Sequence, residues 1–111
     1  MKYLKFYNEH VSRILRGEKV LTVRLNLDRR IKEGDEVELR DGDNVAFATA
    51  KIADRKKITA RSFVDSRING HKTYNTFSSF EHEMNKYYPN KDILPWTELD
   101  IVWWKEVNPI D

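Results

Sequence analysis

The chain has 111 residues, of which 40% are apolar and 34% charged, with a formal net charge of +2. That is enough apolar material for one domain with a modest core, and too much for a disordered segment. It contains no cysteine, which excludes structural disulfides, thiolate metal sites and cysteine nucleophiles.

Residues 2–6 alternate as a short strand. Asn8 is expected to cap a helix over about 9–16, with Val11, Ile14 and Leu15 on one face, and Gly17 supplies the left-handed residue that closes it. Val20 to Leu25 is aliphatic and β-branched, a second strand. Asn26 to Glu33 reads as a polar loop, and Glu33-Gly34-Asp35 as a turn into a strand over Glu36 to Arg40. Asp41-Gly42-Asp43-Asn44 is a hairpin signal, followed by a strand from Val45 to about Ala53. Thr59 opens a short helix through Ile68, which Asn69-Gly70 breaks. Phe77 to Tyr88 fits a helix with Phe77, Phe80, Met84, Tyr87 and Tyr88 inward, ended by Pro89. Thr97 to Val107 is a final strand, with Leu99, Ile101 and Trp103 on one face and Asp100, Val102 and Trp104 on the other. The order β-α-β-β-β-α-α-β, within a single domain over 1–111, predicts an α+β fold. Its expected form is a small, mostly antiparallel barrel with helices at one end.

Residues 51–72 hold seven Lys or Arg against two Asp, a basic stretch that either meets a polyanion or is simply solvated. His10, His71 and His82 have no HxxxH spacing, so neither a metal nor another cofactor is expected. No run approaches the roughly eighteen apolar residues of a membrane span, and Lys2 and Lys5 precede no leader-like segment, so a cytoplasmic protein is expected.

The densest chemistry lies in Arg16-Gly-Glu-Lys-Val-Leu-Thr-Val-Arg24. Thr22 and Arg24 are two apart on a strand and face the same way. Arg24 either grips a phosphate or base edge or meets a nearby carboxylate. Lys19 stands at the strand entrance, where the turn after Gly17 sets its direction. In a partly desolvated pocket near Arg24 its pKa would fall, giving a general base, and Thr22 becomes a nucleophile only with such a partner. Gly17 serves as a helix cap or as a point of close ligand approach. Arg29 and Arg30, beside the motif strand, could follow a phosphate backbone, as could Arg55, Lys56 and Lys57 between strand and helix. Tyr74, Trp96, Trp103 and Trp104 are candidates for base stacking or for core, with at least two of the four expected in core. His71 beside Lys72 could serve acid–base chemistry.

These segments resemble the ASCH family, small domains of the PUA-like β-barrel superfold. The resemblance rests on the lead helix with Gly17-x-Lys19-x-x-Thr22-x-Arg24, on Glu33-Gly-Asp-Glu-Val-Glu-Leu39, on the helix ending in Tyr88-Pro89, and on the closing strand Glu98 to Trp104. It implies a cleft lined by the Gly17–Arg24 segment that accepts RNA or a modified nucleoside. Some small bacterial members remove the acetyl group of N4-acetylcytidine with a Lys and a Thr of this motif and a Glu ahead of the Tyr-Pro helix. Lys19 and Thr22 match the first two. Residues 68–80 hold no carboxylate, which leaves Glu81 or Glu83 for the third role. Other members bind or cut RNA. The expected function is therefore binding of RNA or a modified nucleoside, with hydrolysis of N4-acetylcytidine or of RNA as the alternative.

Overall fold

In the computed structural model, residues 1–68 and 72–110 are described. The elements follow the expected order: β1 (Tyr3–Lys5), α1 (Asn8–Leu15), β2 (Leu21–Arg24), β3 (Glu36–Arg40), β4 (Ala46–Thr59), α2 (Ala60–Ser66), α3 (Phe77–Tyr87) and β5 (Glu98–Pro109). The strands form one five-stranded sheet in the order β1-β3-β4-β5-β2. The β1–β3 pairing is parallel and the other three are antiparallel. The sheet curls into a half-barrel, an α+β fold of the PUA-like kind. Its edges are β1 and β2, which α1 connects.

The curl has a local cause. β4 and β5 pair along almost their full length, and two bulges bend the ribbon they form. Between Thr49↔Asn108 and Lys51↔Lys105, β5 carries one extra residue, and Glu106 there has φ +54°. Between Ile52↔Trp104 and Asp54↔Trp103 the extra residue, Ala53, is on β4. Each bulge kinks its strand and increases the local twist. The expectation that β4 ends near Ala53 is corrected by this pairing. The strand runs on to Thr59, so Arg55, Lys56 and Lys57 lie within it and not in a linker. Long pairing with β5 overrides the poor strand propensity of a charged run.

Two cores flank the ribbon. Leu4, Phe6, Ile14, Val37, Leu39, Ile52, Val102 and Trp104 belong to one. Leu21, Phe63, Tyr74, Phe80, Met84, Leu99 and Ile101 belong to the other, with Trp103 packed against it. The two faces expected for β5 are the faces observed.

Local chemistry fixes the helices. Thr59 and Thr76 accept from the backbone N–H of Ser62 and Ser79, capping α2 and α3. Asn8 departs from expectation: the N-cap of α1 is Tyr7, and the Asn8 Oδ1 accepts from Gly42 N at 2.8 Å, tying the helix to the β3–β4 hairpin. Ile14 of α1 is fully buried, Val11 half-buried and Leu15 exposed, so the inward face is narrower than the sequence suggested. α2 stops at Ser66, with Arg67 left-handed, two residues before the expected end. The Asn69-Gly70 break lies outside the described residues. No described helix is long and apolar enough to cross a membrane.

Candidate functional site

The end of α1 sets the site geometry. Gly17 takes φ +77°, and the N–H groups of Gly17 and Glu18 donate to the carbonyls of Ile14 and Arg13 at 3.0 and 2.8 Å. This is a Schellman closure, and it needs a residue without a Cβ penalty at positive φ. The chain then turns back so that Lys19 N also reaches the Arg13 carbonyl at 3.2 Å. Simple alternation would set Lys19 with Leu21 in the core. The turn brings it instead into a cavity shared with Thr22 and Arg24.

That cavity, of about 230 Å³, lies between the sheet's two edge strands, where a closed barrel would have its seam. Arg24 of β2 bridges the gap. Its Nη2 donates to the Lys5 carbonyl of β1 at 2.5 Å, its Nε donates to the Thr22 Oγ1 at 3.1 Å, and its guanidinium carbon stands 4.9 Å from the Phe6 ring centre. Thr22 is 6% exposed and thus held against a defined partner. From α1 come His10 and Arg13, one turn apart, and from the opposite side Lys72, Tyr74, Glu83, Tyr87 and Tyr88. The Tyr88 hydroxyl accepts from Leu25 N at 3.2 Å, which pins the end of α3 to β2.

Electrostatics single out Lys19. Burial lowers its pKa to about 8, and the Arg13 and Arg24 charges add to the fall. His10 is also lowered, first by burial and then by Lys19. Its Nε2 lies 3.3 Å from the Tyr87 hydroxyl, while its buried Nδ1 has no hydrogen-bond partner. Burial, aided by the Glu83 charge, raises the Tyr74 phenol to about 12, so it stays protonated. Among the described residues Glu83 is the one carboxylate lining the cavity, 3.8 Å from the Lys72 ammonium and 3.5 Å from that of Lys86. Glu81 does not line it.

The remaining candidates sit elsewhere. Gly17 shapes the turn but does not line the cavity. Arg29, Arg55, Lys56 and Lys57 line a second, more open groove of about 770 Å³ that shares no residue with the first. Arg30 lines neither and pairs with Asp28 at 3.0 Å. Arg55 is bound within the fold: its guanidinium donates to the carbonyls of Leu27, Asp28 and Ile31 and pairs with buried Asp100 at 3.3 Å. Those bonds hold the 26–33 loop to the sheet and leave the group committed. Trp104 is core, edge-on to Phe6, and Tyr74 is buried at the cavity wall. Trp103 is half-buried, Trp96 is 70% exposed, and neither lines the cavity. His71 lies outside the described residues. Sequence reasoning passed over His10 and Arg13, although their i, i+3 spacing ahead of the Gly17 turn marks them as Lys19's neighbours. Phe6 and Tyr7 left no such signal, because only β1's position at the seam brings them in.

No protein-family model and no curated protein sequence matches the chain. Solved structures do match its fold. A DUF984 protein from Enterococcus faecalis V583 superposes with a TM-score of 0.68 at 13% identity, covering 99% of this chain and 83% of that one. The ASCH domain from Lactobacillus crispatus JV V101 gives 0.66 at 15% identity, over 98% and 81% of the two chains. The ASCH protein from Zymomonas mobilis gives 0.66 at 11% identity, over 96% and 68%. At such identities the likeness speaks to architecture, and the architecture of this chain is an ASCH-like fold.

Proposed function

We propose that the seam cavity binds one base of an RNA or a modified nucleoside. The observation that carries this reading is the meeting of Lys19, Thr22 and Arg24 with the rings of Phe6, Tyr74 and Tyr88 around one small volume. Aromatic walls suit a planar base, and the Thr22 hydroxyl and Arg24 guanidinium suit its polar edge. At about 230 Å³ the space is smaller than a drug-sized cleft of roughly 300–1,000 Å³, so it holds one base and not a strand. Such a ligand and a cysteine-free chain agree with a cytoplasmic setting. Calorimetric titration with N4-acetylcytidine and with a short unstructured RNA tests the reading. Binding of either, weakened about tenfold or more by Arg24→Ala, supports it; absence of binding by both ends it.

A second reading, amide hydrolysis, is favoured by the Lys19 pKa of about 8. The Thr22 Oγ1 accepts from Arg24, which leaves its own O–H free to donate. Neutral Lys19 would take that proton as Oγ1 attacks the acyl carbon. Collapse would break the C–N bond, and the Lys19 ammonium would return the proton to the leaving nitrogen. Water, deprotonated by the same amine, would then cleave the Thr22 ester. Glu83 is the carboxylate available to help orient that amine or its substrate. Release of cytidine from N4-acetylcytidine, lost in both Lys19→Ala and Thr22→Ala and rising with pH toward about 8, is the expected result. An RNA-cleavage assay run alongside separates the ribonuclease variant. Equal inactivity of wild type and mutants in both assays removes the enzyme reading and leaves the binding one.

A further inference from the structure

We propose that Arg13, Lys19 and Arg24 form a phosphate subsite at one wall of this cavity, so that its occupant is a phosphorylated nucleotide unit and not a neutral nucleoside. The inference rests on the base-binding reading above and names the ligand class more narrowly.

Three cations line this wall, and among the described residues none of them lies within 4.0 Å of a carboxylate. Elsewhere Arg16, Arg30, Arg40, Arg55 and Arg61 each have an acidic partner, and Arg29 and Arg67, which have none within 4.0 Å among the described residues, do not line this cavity. The crowding is built in by backbone, because Lys19 N bonds the Arg13 carbonyl and Arg24 is braced against Thr22, Lys5 and Phe6. Glu83 faces the cavity from α3 but is shared between Lys72 and Lys86. Like charges held together repel, Lys19 and Arg24 being half-buried as well, so the site gains most from an anion that enters it.

The donors suit phosphate. Arg13 is exposed and its whole guanidinium fork is uncommitted, while Arg24 retains N–H groups beyond the two it uses. His10, on the same wall, adds an unpartnered buried Nδ1. A phosphate offers three acceptor oxygens and up to two negative charges to such a set, where a neutral nucleoside offers acceptors but no charge. The aromatic rings across the cavity would take the base, and Arg13, the exposed member, would take the phosphate near solvent.

The test is calorimetric titration at low salt with N4-acetylcytidine, its 5′- and 3′-monophosphates, and a dinucleotide carrying the same base. Phosphorylation should raise affinity about tenfold or more. In Arg13→Gln the ratio of nucleotide to nucleoside affinity should collapse toward one, while Lys51→Ala, exposed on β4 and not lining the cavity, should leave it unchanged. A gain with a monophosphate identifies a free nucleotide, and a gain confined to the dinucleotide identifies an RNA phosphodiester; both support the subsite. Equal affinities for nucleoside and nucleotides, or a phosphate preference untouched in Arg13→Gln, overturn the subsite and leave base binding standing. Failure of nucleoside, nucleotides and dinucleotide alike to bind overturns both.

Discussion

The two concave regions of this molecule are both lined with basic side chains, yet they differ in what those side chains are bonded to. In the seam cavity, Arg13, Lys19 and Arg24 stand together with no carboxylate among the described residues within 4.0 Å of any of them. In the open groove, Arg55 is spent on three carbonyls and Asp100, and Lys56 is 3.7 Å from Asp54. The stretch 51–72, the most basic in the sequence, is partly neutralised once folded: Arg61 meets Asp65 and Lys72 meets Glu83. The cations without an acidic partner within 4.0 Å that gather in the seam cavity come instead from α1, its closing turn and β2. A count of charges along a chain therefore says little about where a polyanion would be held. What matters is which cations are left without a partner.

The largest effect that would sharpen this contrast is on stability and lies in the groove. Arg55→Ala leaves Asp100 buried without its cation and frees three carbonyls of the 26–33 loop. A loss of about 3–5 kcal/mol in urea unfolding is expected. Arg55→Lys should recover only part of it, since an ammonium cannot reproduce the planar fork. A loss under about 1 kcal/mol would return Arg55 to the ordinary surface charges and dissolve the distinction between the two regions.

In the cavity the opposite sign is expected. The groups facing Lys19 are His10 and Arg13 from α1 and Arg24 from β2, and burial together with the two arginines holds its folded pKa near 8. The unfolded chain titrates near 10.4. Between those values the unfolded state binds more protons, so stability rises with pH across that window. Below about pH 8 the full cost of keeping Lys19 charged is present, on the order of 3 kcal/mol. Lys19→Gln should therefore be more stable than wild type at pH 7, with the gain fading by about pH 10.5. Thermal or urea midpoints measured at several pH values test this. A Lys19→Gln chain less stable than wild type at pH 7 would mean that Lys19 is bonded to a compensating partner.

A smaller effect is expected at the turn that makes the cavity. Gly17→Ala meets open space but must adopt φ +77°, and a loss of about 1 kcal/mol is expected. Because the same turn aims Lys19, ligand affinity should fall in Gly17→Ala although Gly17 does not line the cavity. Unchanged affinity would make the residue a helix cap and nothing more.

These cases also show what the sequence could express. The element order, both faces of β5 and the Gly17 closure were legible because each depends on local periodicity or on a single backbone requirement. The length of β4 was not, since only its partner β5 keeps Arg55, Lys56 and Lys57 extended. The site was legible in part for the same reason. Lys19, Thr22 and Arg24 lie within six residues and share one turn and one strand, so their meeting is nearly local. Tyr74 and Glu83 come from beyond the sheet, and Phe6 enters only because β1 and β2 are the two edges of a curled sheet. The internal bonds of Arg55 were not legible for a matching reason: its partners, Leu27, Asp28, Ile31 and Asp100, are all 24 or more residues away.

The smallest effect expected is the one that isolates the groove from the ligand. Arg29 and Lys57 are exposed, line the groove, and have no acidic partner within 4.0 Å among the described residues. With Lys32, which also lines the groove without an acidic partner, they are the groove cations still able to meet a phosphate. Alanine at either should change stability by no more than about 0.5 kcal/mol. If the ligand is one nucleotide unit in the seam cavity, neither substitution should shift its affinity by more than about twofold, and the salt dependence should stay shallow. If instead an RNA strand runs from the cavity along the groove, each lost phosphate contact should reduce the slope of log affinity against log salt by about 0.7. Titrations of a dinucleotide and of a longer unstructured RNA against the Arg29→Ala, Lys57→Ala chain, at three salt concentrations, separate the two. A drop confined to the longer RNA would join the regions into a single binding surface and make the groove's residual charge functional.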